Sequence, residues 1–464
     1  MLDDMFDHLE ALRGRPVWQP IPETTRRGFR AGLPRAPSDL AAVHGDFLRD
    51  VLPYSSGNLH PGFMGWVQGG GTPVGMLAEM LAGGLNANLG GRDHMPIEVE
   101  RQVLGWMAGL FGFPEGASGL FVTGTSMANF IGVLVARTRA LGAGVRREGL
   151  AGAGGRLTAY ASVAAHGCVA RALDFAGLGS DALRLVPVDD GHRIDLAALR
   201  RSIARDRAAG LVPFLIVGTA GTVDVGAIDD LAGLADIAAA EGVSLHVDGA
   251  LGALAILAPD IAPRLAGIER ADSLAFDFHK WGQVPYDSGC ILVRDGTLHR
   301  DSFAAPAAYL GRAARGLAAG GSWPCDLGPD LSRGFRALKT WFTLKTYGTD
   351  ALGAAIARCC ALARDLARRV AAAPELELLA PVPLNIVCFR YRGADPDRVN
   401  AEIVADLHEG GVVAPSTTTI GGRLAIRAAI VNHRTQPIDV ERLVALTLAR
   451  GRARGGPAHN IRET

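Results

Sequence analysis

Apolar positions along the chain recur with two periods. Short runs in which most positions are apolar or β-branched, Leu211–Val217, Ser244–Val247, Ser273–Phe278 and Gly289–Val293, have the length and composition of buried strands. Helical spacing lies between and before them. Ile228–Ala240 has Asp229 and Asp230 in its first turn, and an Ala/Leu segment separates the second run from the third. Upstream, Phe121-Val-Thr-Gly-Thr-Ser reads as a strand turning tightly into a helix over Met127–Leu141. This alternation starts near Met76 and predicts an α/β domain around a mostly parallel sheet.

The pattern differs at both ends of the chain. Residues 1–72 are rich in Pro, Arg and Gly without a long amphipathic repeat, as expected of an arm that packs on something else. After Leu331 a helical pattern runs to Tyr347 and another covers Ala351–Ala373. A β-like run at Asn385–Arg390 and a last helix near Asp439–Arg450 follow. The predicted organisation is an arm (1–72), a large domain (73–348) and a small C-terminal α+β domain (349–464). The stretches Gly142–Arg156 and Gly311–Gly321, and the tail from Gly451, read as mobile loops.

Composition narrows the function classes. With 47 basic and 47 acidic side chains in 464 residues, nothing electrostatic points to nucleic acid or an anionic membrane. The most apolar stretch, Gly249–Ala258, falls well short of the about 20 residues that span a bilayer. The acidic opening Met-Leu-Asp-Asp-Met is unlike a secretory signal. Cys168, Cys290, Cys325, Cys359, Cys360 and Cys388 show no paired spacing, so neither a disulfide framework nor a metal site is expected, and the reading is a cytoplasmic protein.

Candidate chemistry collects at strand ends. Lys280 follows the run Ser273-Leu-Ala-Phe-Asp-Phe-His in an aromatic, apolar setting, which is expected to lower its pKa and favour the neutral nucleophile that forms a Schiff base. Thirty-two residues earlier Asp248 ends another run and is followed by two small residues, Gly249 and Ala250. A carboxylate there suits a protonated pyridine nitrogen, and capping of the next segment is the alternative. The Gly/Thr/Ser turn suits a phosphate through helix N–H groups and the hydroxyls of Thr125 and Ser126, with an ordinary N-cap as the alternative. Thr219 ends a third small-residue strand, and His166 is either a ring-stacking or a structural histidine.

The order of phosphate turn, histidine, threonine, aspartate and lysine resembles that of the group II pyridoxal-phosphate (PLP) dependent amino-acid decarboxylases, which include the aromatic-L-amino-acid and glutamate decarboxylases. The likeness runs from His60-Pro-Gly-Phe and Met76-Leu-Ala-Glu-Met-Leu through His246-Val-Asp-Gly-Ala and His279-Lys-Trp. It continues to Phe335-Arg-Ala-Leu-Lys-Thr-Trp-Phe and Ile430-Val-Asn-His-Arg-Thr. It implies the fold type I (aspartate-aminotransferase-like) architecture and a homodimer with shared active sites, the arm lying on the partner.

By that resemblance Lys280 holds PLP, Asp248 pairs with the pyridine nitrogen, His166 stacks on the ring, and Thr125 and Ser126 bind phosphate. Thr219, Ala250, Asp277 and His279 line the cofactor, while Trp66, Gln68 and Asn88 contact an L-amino acid substrate. Asp277 departs from the pattern, since the aromatic decarboxylases have asparagine and then proline before His-Lys. A carboxylate near a phosphate is repulsive, so Asp277 is expected to turn away or the phosphate contact to be remodelled.

The implied reaction is loss of carbon dioxide to give the amine. In the aromatic members a tyrosine on a mobile loop protonates the carbanion. The corresponding segment here, about Gly311–Trp323, contains no tyrosine, and Tyr309 lies just before it. Decarboxylation with oxidative deamination to an aldehyde is therefore one alternative, and a noncatalytic binding module on the same fold is another.

Overall fold

The computed structural model describes residues 1–151, 156–304 and 313–455. They form two compact units, one of Gly71–Ala357 and one that joins Met1–Gly70 to Arg358–Thr464. The boundaries thus fall at 71 and 358, and the N-terminal 70 residues group with the C-terminal segment. Arg13 makes a 2.8 Å ion pair with Asp439, and the two-residue strand β1 (Phe63–Met64) pairs in parallel with a strand near residue 414.

The larger unit is built on seven strands: β2 (Ser118–Val122), β3 (Leu157–Ser162), β4 (Leu183–Val186), β5 (Val212–Thr219), β6 (Ser244–Asp248), β7 (Ser273–Asp277) and β8 (Gly289–Val293). Their order is β2-β8-β7-β6-β5-β3-β4, and only β8 runs against the rest. The expected mostly parallel sheet is present. Crossover helices bury both faces of such a sheet, which explains the nearly continuous apolar runs. Leu215, Ile216, Leu245, Val247, Leu274, Phe276 and Ile291 are all buried, each side chain stabilising the fold by about 1.5–3 kcal/mol on full burial.

Helix Thr125–Leu141 packs on this sheet along two lines. Ala128, Ile131 and Val135 meet Leu120, Ala275 and Ile291, while Val133 and Ala136 meet Leu157, Ala159 and Leu215. Helix Leu231–Glu241 begins later than its periodicity predicted. Asp230 is its N-cap, bonded to the Gly233 N–H at 2.9 Å. Asp229 is buried outside the helix, accepting from the N–H groups of Thr219 and Ile194 at 2.7 Å each. Strands β3 and β4 have polar or small residues at alternate positions, which conceal their β character.

The smaller unit carries a five-stranded sheet. Strands β9 (Leu376–Leu378), β10 (Ile386–Tyr391), β11 (Ala414–Ile420) and β12 (Arg423–Ala429) take the order β1-β11-β12-β10-β9. Helices Pro396–Glu409 and Pro437–Gly455 cover a core of Val387, Phe389, Ile403, Ile426 and Leu443. Two loop readings change. The tail is helical through Gly455, and Val145–Glu148 forms a short helix within the first Gly/Ala/Arg stretch. The helix Arg336–Ala372 is interrupted at Gly348, whose φ of 74° is a left-handed value that glycine adopts without strain.

Candidate active site

Thr219, Asp248 and Asp277 end the adjacent parallel strands β5, β6 and β7, so their side chains arrive at one carboxyl edge. The antiparallel β8 brings a fourth group there. Gly289 pairs with Asp277 on one side and Val122 on the other, and the turn after β2 returns over it. A Cβ on Gly289 would lie 2.4 Å from the Gly124 Cα, so only glycine allows this close approach.

That approach sets the first turn of helix Thr125–Leu141 against Asp277. The Thr125 N–H donates to Asp277 Oδ1 at 2.8 Å, and Asp277 Oδ2 lies 2.8 Å from Lys280 Nζ and 3.5 Å from His279 Nε2. Asp277 therefore does not turn away from the helix start. Its placement also reverses the expectation for the lysine. Burial pulls the Lys280 amine down, but the Asp277 charge and hydrogen bond, with Asp248 and Cys168 behind them, outweigh it and hold the pKa above the ordinary lysine value. The ammonium form is favoured where the apolar neighbours alone suggested the neutral one.

His279 is buried and accepts the Ser288 N–H at Nδ1, 3.1 Å, and its ring lies 4.2 Å from that of Tyr286 between centroids. Burial lowers the His279 pKa, and burial with Asp277 raises that of the Tyr286 hydroxyl to about 12. Of the chain's three lysines, Lys280 is the one paired with Asp277. Lys339 is 2.6 Å from Glu79, and Lys345 lies 4.7 Å over the Trp341 ring.

Asp248 is 4% exposed and held from three directions. Oδ1 accepts the Ala250 N–H at 3.1 Å, Oδ2 accepts Asn129 Nδ2 at 2.9 Å, and the Cys168 thiol is 4.0 Å away. Burial, with the Asp248 charge, pushes that thiol up to about 12, so it stays neutral. His166, exposed just after β3, accepts the Cys168 N–H at Nδ1, 3.2 Å, which leaves the neutral ring's proton on Nε2. Thr125 is buried and its Oγ1 has no partner among the described residues, while Ser126 is exposed.

The predicted residues thus separate into groups. Thr125, Asp277, His279 and Lys280 are joined directly, and Asp248 and Ala250 form a second cluster reached by His166 through Cys168. Thr219 is directly opposite Asp248 in the strand register. Asn88 is engaged structurally, its Oδ1 accepting from the N–H groups of Gly90 and Arg333 at 2.9 and 3.0 Å. Trp66 and Gln68 belong to the other compact unit. Tyr309, Gly311 and Arg312 lie outside the described residues.

Sequence reasoning missed Asn129 and His246. Both left a signal: His246 is two residues before Asp248 and so shares its face of β6, and Asn129 is one helical turn beyond Thr125. It also missed Arg333, which pairs with buried Glu100 at 2.6 Å and donates to the Phe121 carbonyl at 2.7 Å, anchoring β2 just before the turn.

A mostly parallel sheet with a lysine just past one strand end, a buried carboxylate ending the neighbouring strand, and a helix that starts against Asp277 and reaches Asp248 through Asn129 is the framework of a fold type I PLP enzyme. The chain belongs to the pyridoxal-dependent decarboxylase family, whose conserved-domain model matches residues 22–392. It is 33% identical over 445 residues to an aromatic-L-amino-acid decarboxylase of Bacillus atrophaeus, covering 94% of this chain and 90% of that one. A second, from Sus scrofa, is 30% identical over 458 residues, covering 94% and 91%. The crystal structure of Oryza sativa TDC with PLP and tryptamine superposes with a TM-score of 0.90 at 25% identity, covering 98% of this chain and 96% of that one. The protein is a PLP-dependent amino-acid decarboxylase, a lyase, and the oxidative and noncatalytic alternatives are not favoured.

Proposed function

We propose that this chain decarboxylates an aromatic L-amino acid, with Lys280 as the residue that carries PLP. The observation that carries this reading is the Lys280 amine at the carboxyl edge of the sheet, 2.8 Å from Asp277 and within the field of Asp248. The aromatic class is supported by the B. atrophaeus relative and by the tryptamine named with the O. sativa structure.

The residues present fit the cofactor. An amine, a buried carboxylate held by neutral donors, and a helix N-terminus with an unspent buried hydroxyl, Thr125 Oγ1, match an aldehyde, a pyridinium and a phosphate in turn. When bound, PLP supplies an electron-withdrawing ring that takes up the electron pair left at Cα as carbon dioxide departs. Asp248, acceptor-only when ionised, holds a proton on the pyridine nitrogen. His166 offers a flat face, kept in one tautomer by the Cys168 N–H.

The hydroxyls of Thr125 and Ser126 bind the phosphate in a contact remodelled around Asp277, which already takes the Thr125 N–H. Thr219 and Ala250 border the ring, and Asp277 with His279 sets the charge and orientation of the Lys280 amine. Trp66, Gln68 and Asn88 contact the substrate. The chain works as a homodimer with shared active sites, residues 1–72 packing on the partner. Support comes from helix Pro73–Leu85, which leaves Met80, Leu81 and Leu85 exposed. The compartment is the cytoplasm, consistent with six buried cysteines that form no disulfide among the described residues. Among the described residues no helix is long and apolar enough to cross a membrane.

Incubation with a panel of L-amino acids, followed by product mass analysis, tests the substrate class. Amine from tryptophan, tyrosine or phenylalanine analogues is expected. Turnover of acidic amino acids alone refutes the aromatic class, and aldehyde with hydrogen peroxide refutes simple decarboxylation.

A further inference from the structure

Behind Asp248 lies a chain of buried polar side chains that the reaction itself does not call for. Asp248 Oδ2 is 2.9 Å from Asn129 Nδ2, Asn129 Oδ1 is 2.9 Å from His246 Nε2, and His246 Nδ1 is 2.7 Å from Ser273 Oγ. All four residues are at least 95% buried. Gly132, one turn beyond Asn129, makes room for the arrangement, because a Cβ there would lie 2.6 Å from His246 Nδ1.

We propose that Asn129 is a positioning residue which, backed by His246 and Ser273, fixes the Asp248 carboxylate in its ionised, acceptor-only form and thereby sets the strength and pH dependence of cofactor binding. The inference rests on Asp248 being the partner of the pyridine nitrogen. The hydrogen positions follow from one premise. An ionised carboxylate only accepts, so Asn129 must turn its NH2 toward Asp248 and its carbonyl toward His246. His246 must then carry its proton on Nε2, and Nδ1 accepts the Ser273 hydroxyl proton. Every donor meets an acceptor in this arrangement.

The reverse orientation sets the amide oxygen against the carboxylate, and in a buried site that repulsion is costly. The chain is also neutral throughout. Burial pushes His246 down to about 4, so its imidazole carries no charge near neutrality. Asn129 thus supplies a hydrogen bond without a positive charge that would compete with the pyridinium for Asp248. The remaining titratable groups facing Asp248 are the neutral Cys168 thiol, which also receives a 3.2 Å contact from Asn129 Nδ2, and the Lys280 amine, while Oδ1 takes the Ala250 N–H.

The test uses Asn129→Leu and Asn129→Asp, both close to asparagine in size. Three quantities are read for each: the PLP dissociation constant, the bound-cofactor absorption spectrum across pH, and the melting curve. Asn129→Leu is expected to weaken PLP binding by about 10- to 100-fold, the equivalent of one hydrogen bond to a charged group, while keeping the lysine-linked absorption band. Asn129→Asp is expected to bind weakly at high pH and recover as pH falls, because two adjacent carboxylates then share a proton.

Wild-type affinity and an unchanged pH profile in folded Asn129→Asp overturn the proposal, as does an equal loss in both variants with no change in pH profile. If either variant fails to fold, His246→Gln and His246→Leu replace them. The glutamine keeps an N–H toward Asn129 and should retain affinity, the leucine should lose about tenfold, and equal affinities refute the relay. A lysine-linked band that survives Lys280→Ala overturns instead the cofactor assignment on which the inference rests.

Discussion

Replacing Asp277 by asparagine removes one charge and leaves the shape. The amide oxygen introduced by Asp277→Asn would still accept the Thr125 N–H, so the start of helix Thr125–Leu141 keeps its bond, while the group 2.8 Å from Lys280 Nζ becomes a neutral amide. A charge-assisted hydrogen bond is worth about 1.5–3 kcal/mol. Its loss removes that much of the preference for the ammonium form and so lowers the Lys280 pKa. The sign follows from the opposition in the folded protein, where burial disfavours the cation and Asp277 favours it. With a neutral side chain at this position, only Asp248 and Cys168 still oppose burial, and the pKa falls. Competitive acetylation of the PLP-free protein across the alkaline range, read on the Lys280 peptide by mass spectrometry, measures the shift. Lys339 and Lys345 in the same digest serve as internal references. A midpoint that stays in place or rises refutes the electrostatic account.

Two further perturbations test the framework. Arg333→Met strands buried Glu100 and should destabilise the fold by about 3–5 kcal/mol in urea unfolding; a loss below about 1 kcal/mol contradicts the anchoring of β2. His246 is neutral in the fold down to about 4, whereas an unfolded histidine takes up a proton near its ordinary value of 6.5. Its stabilising effect is therefore complete above that value and fades as pH falls through the window to about 4, amounting to about 3 kcal/mol. His246→Gln should flatten the acid limb of the stability curve by about this amount, and an unchanged limb refutes it.

Much of the large sheet was legible because parallel strands buried on both faces are continuously apolar. Gly289–Val293 appears with its expected bounds, and Ser244–Asp248 and Ser273–Asp277 within one residue. β3 and β4 were obscured by Thr158, Ser162 and Arg184, polar residues that are satisfied by Tyr160, the Ala164 N–H and Asp206. The smaller unit's sheet was mostly missed for a similar reason. The consecutive Thr417, Thr418 and Thr419 look like loop, yet pair with Ile426, Ala425 and Leu424.

At the site, residue order pointed to Lys280 and Asp248, but the sign of the lysine's pKa depended on a distance. Phe276, Phe278 and Trp281 predict a depressed amine, and the Asp277 carboxylate, backed by Asp248 and Cys168, reverses it. Asn129 escaped notice because an asparagine in a helix usually faces solvent, whereas this one is 1% exposed and turned toward Asp248.

The central claim is that Lys280 carries the cofactor, and the chain's lysine count makes a direct measurement decisive. Borohydride reduction of the holoenzyme, digestion and peptide mass mapping should find a single pyridoxyl-phosphate adduct on Lys280. An adduct on Lys339 or Lys345, or none on a protein that retains PLP, contradicts the account.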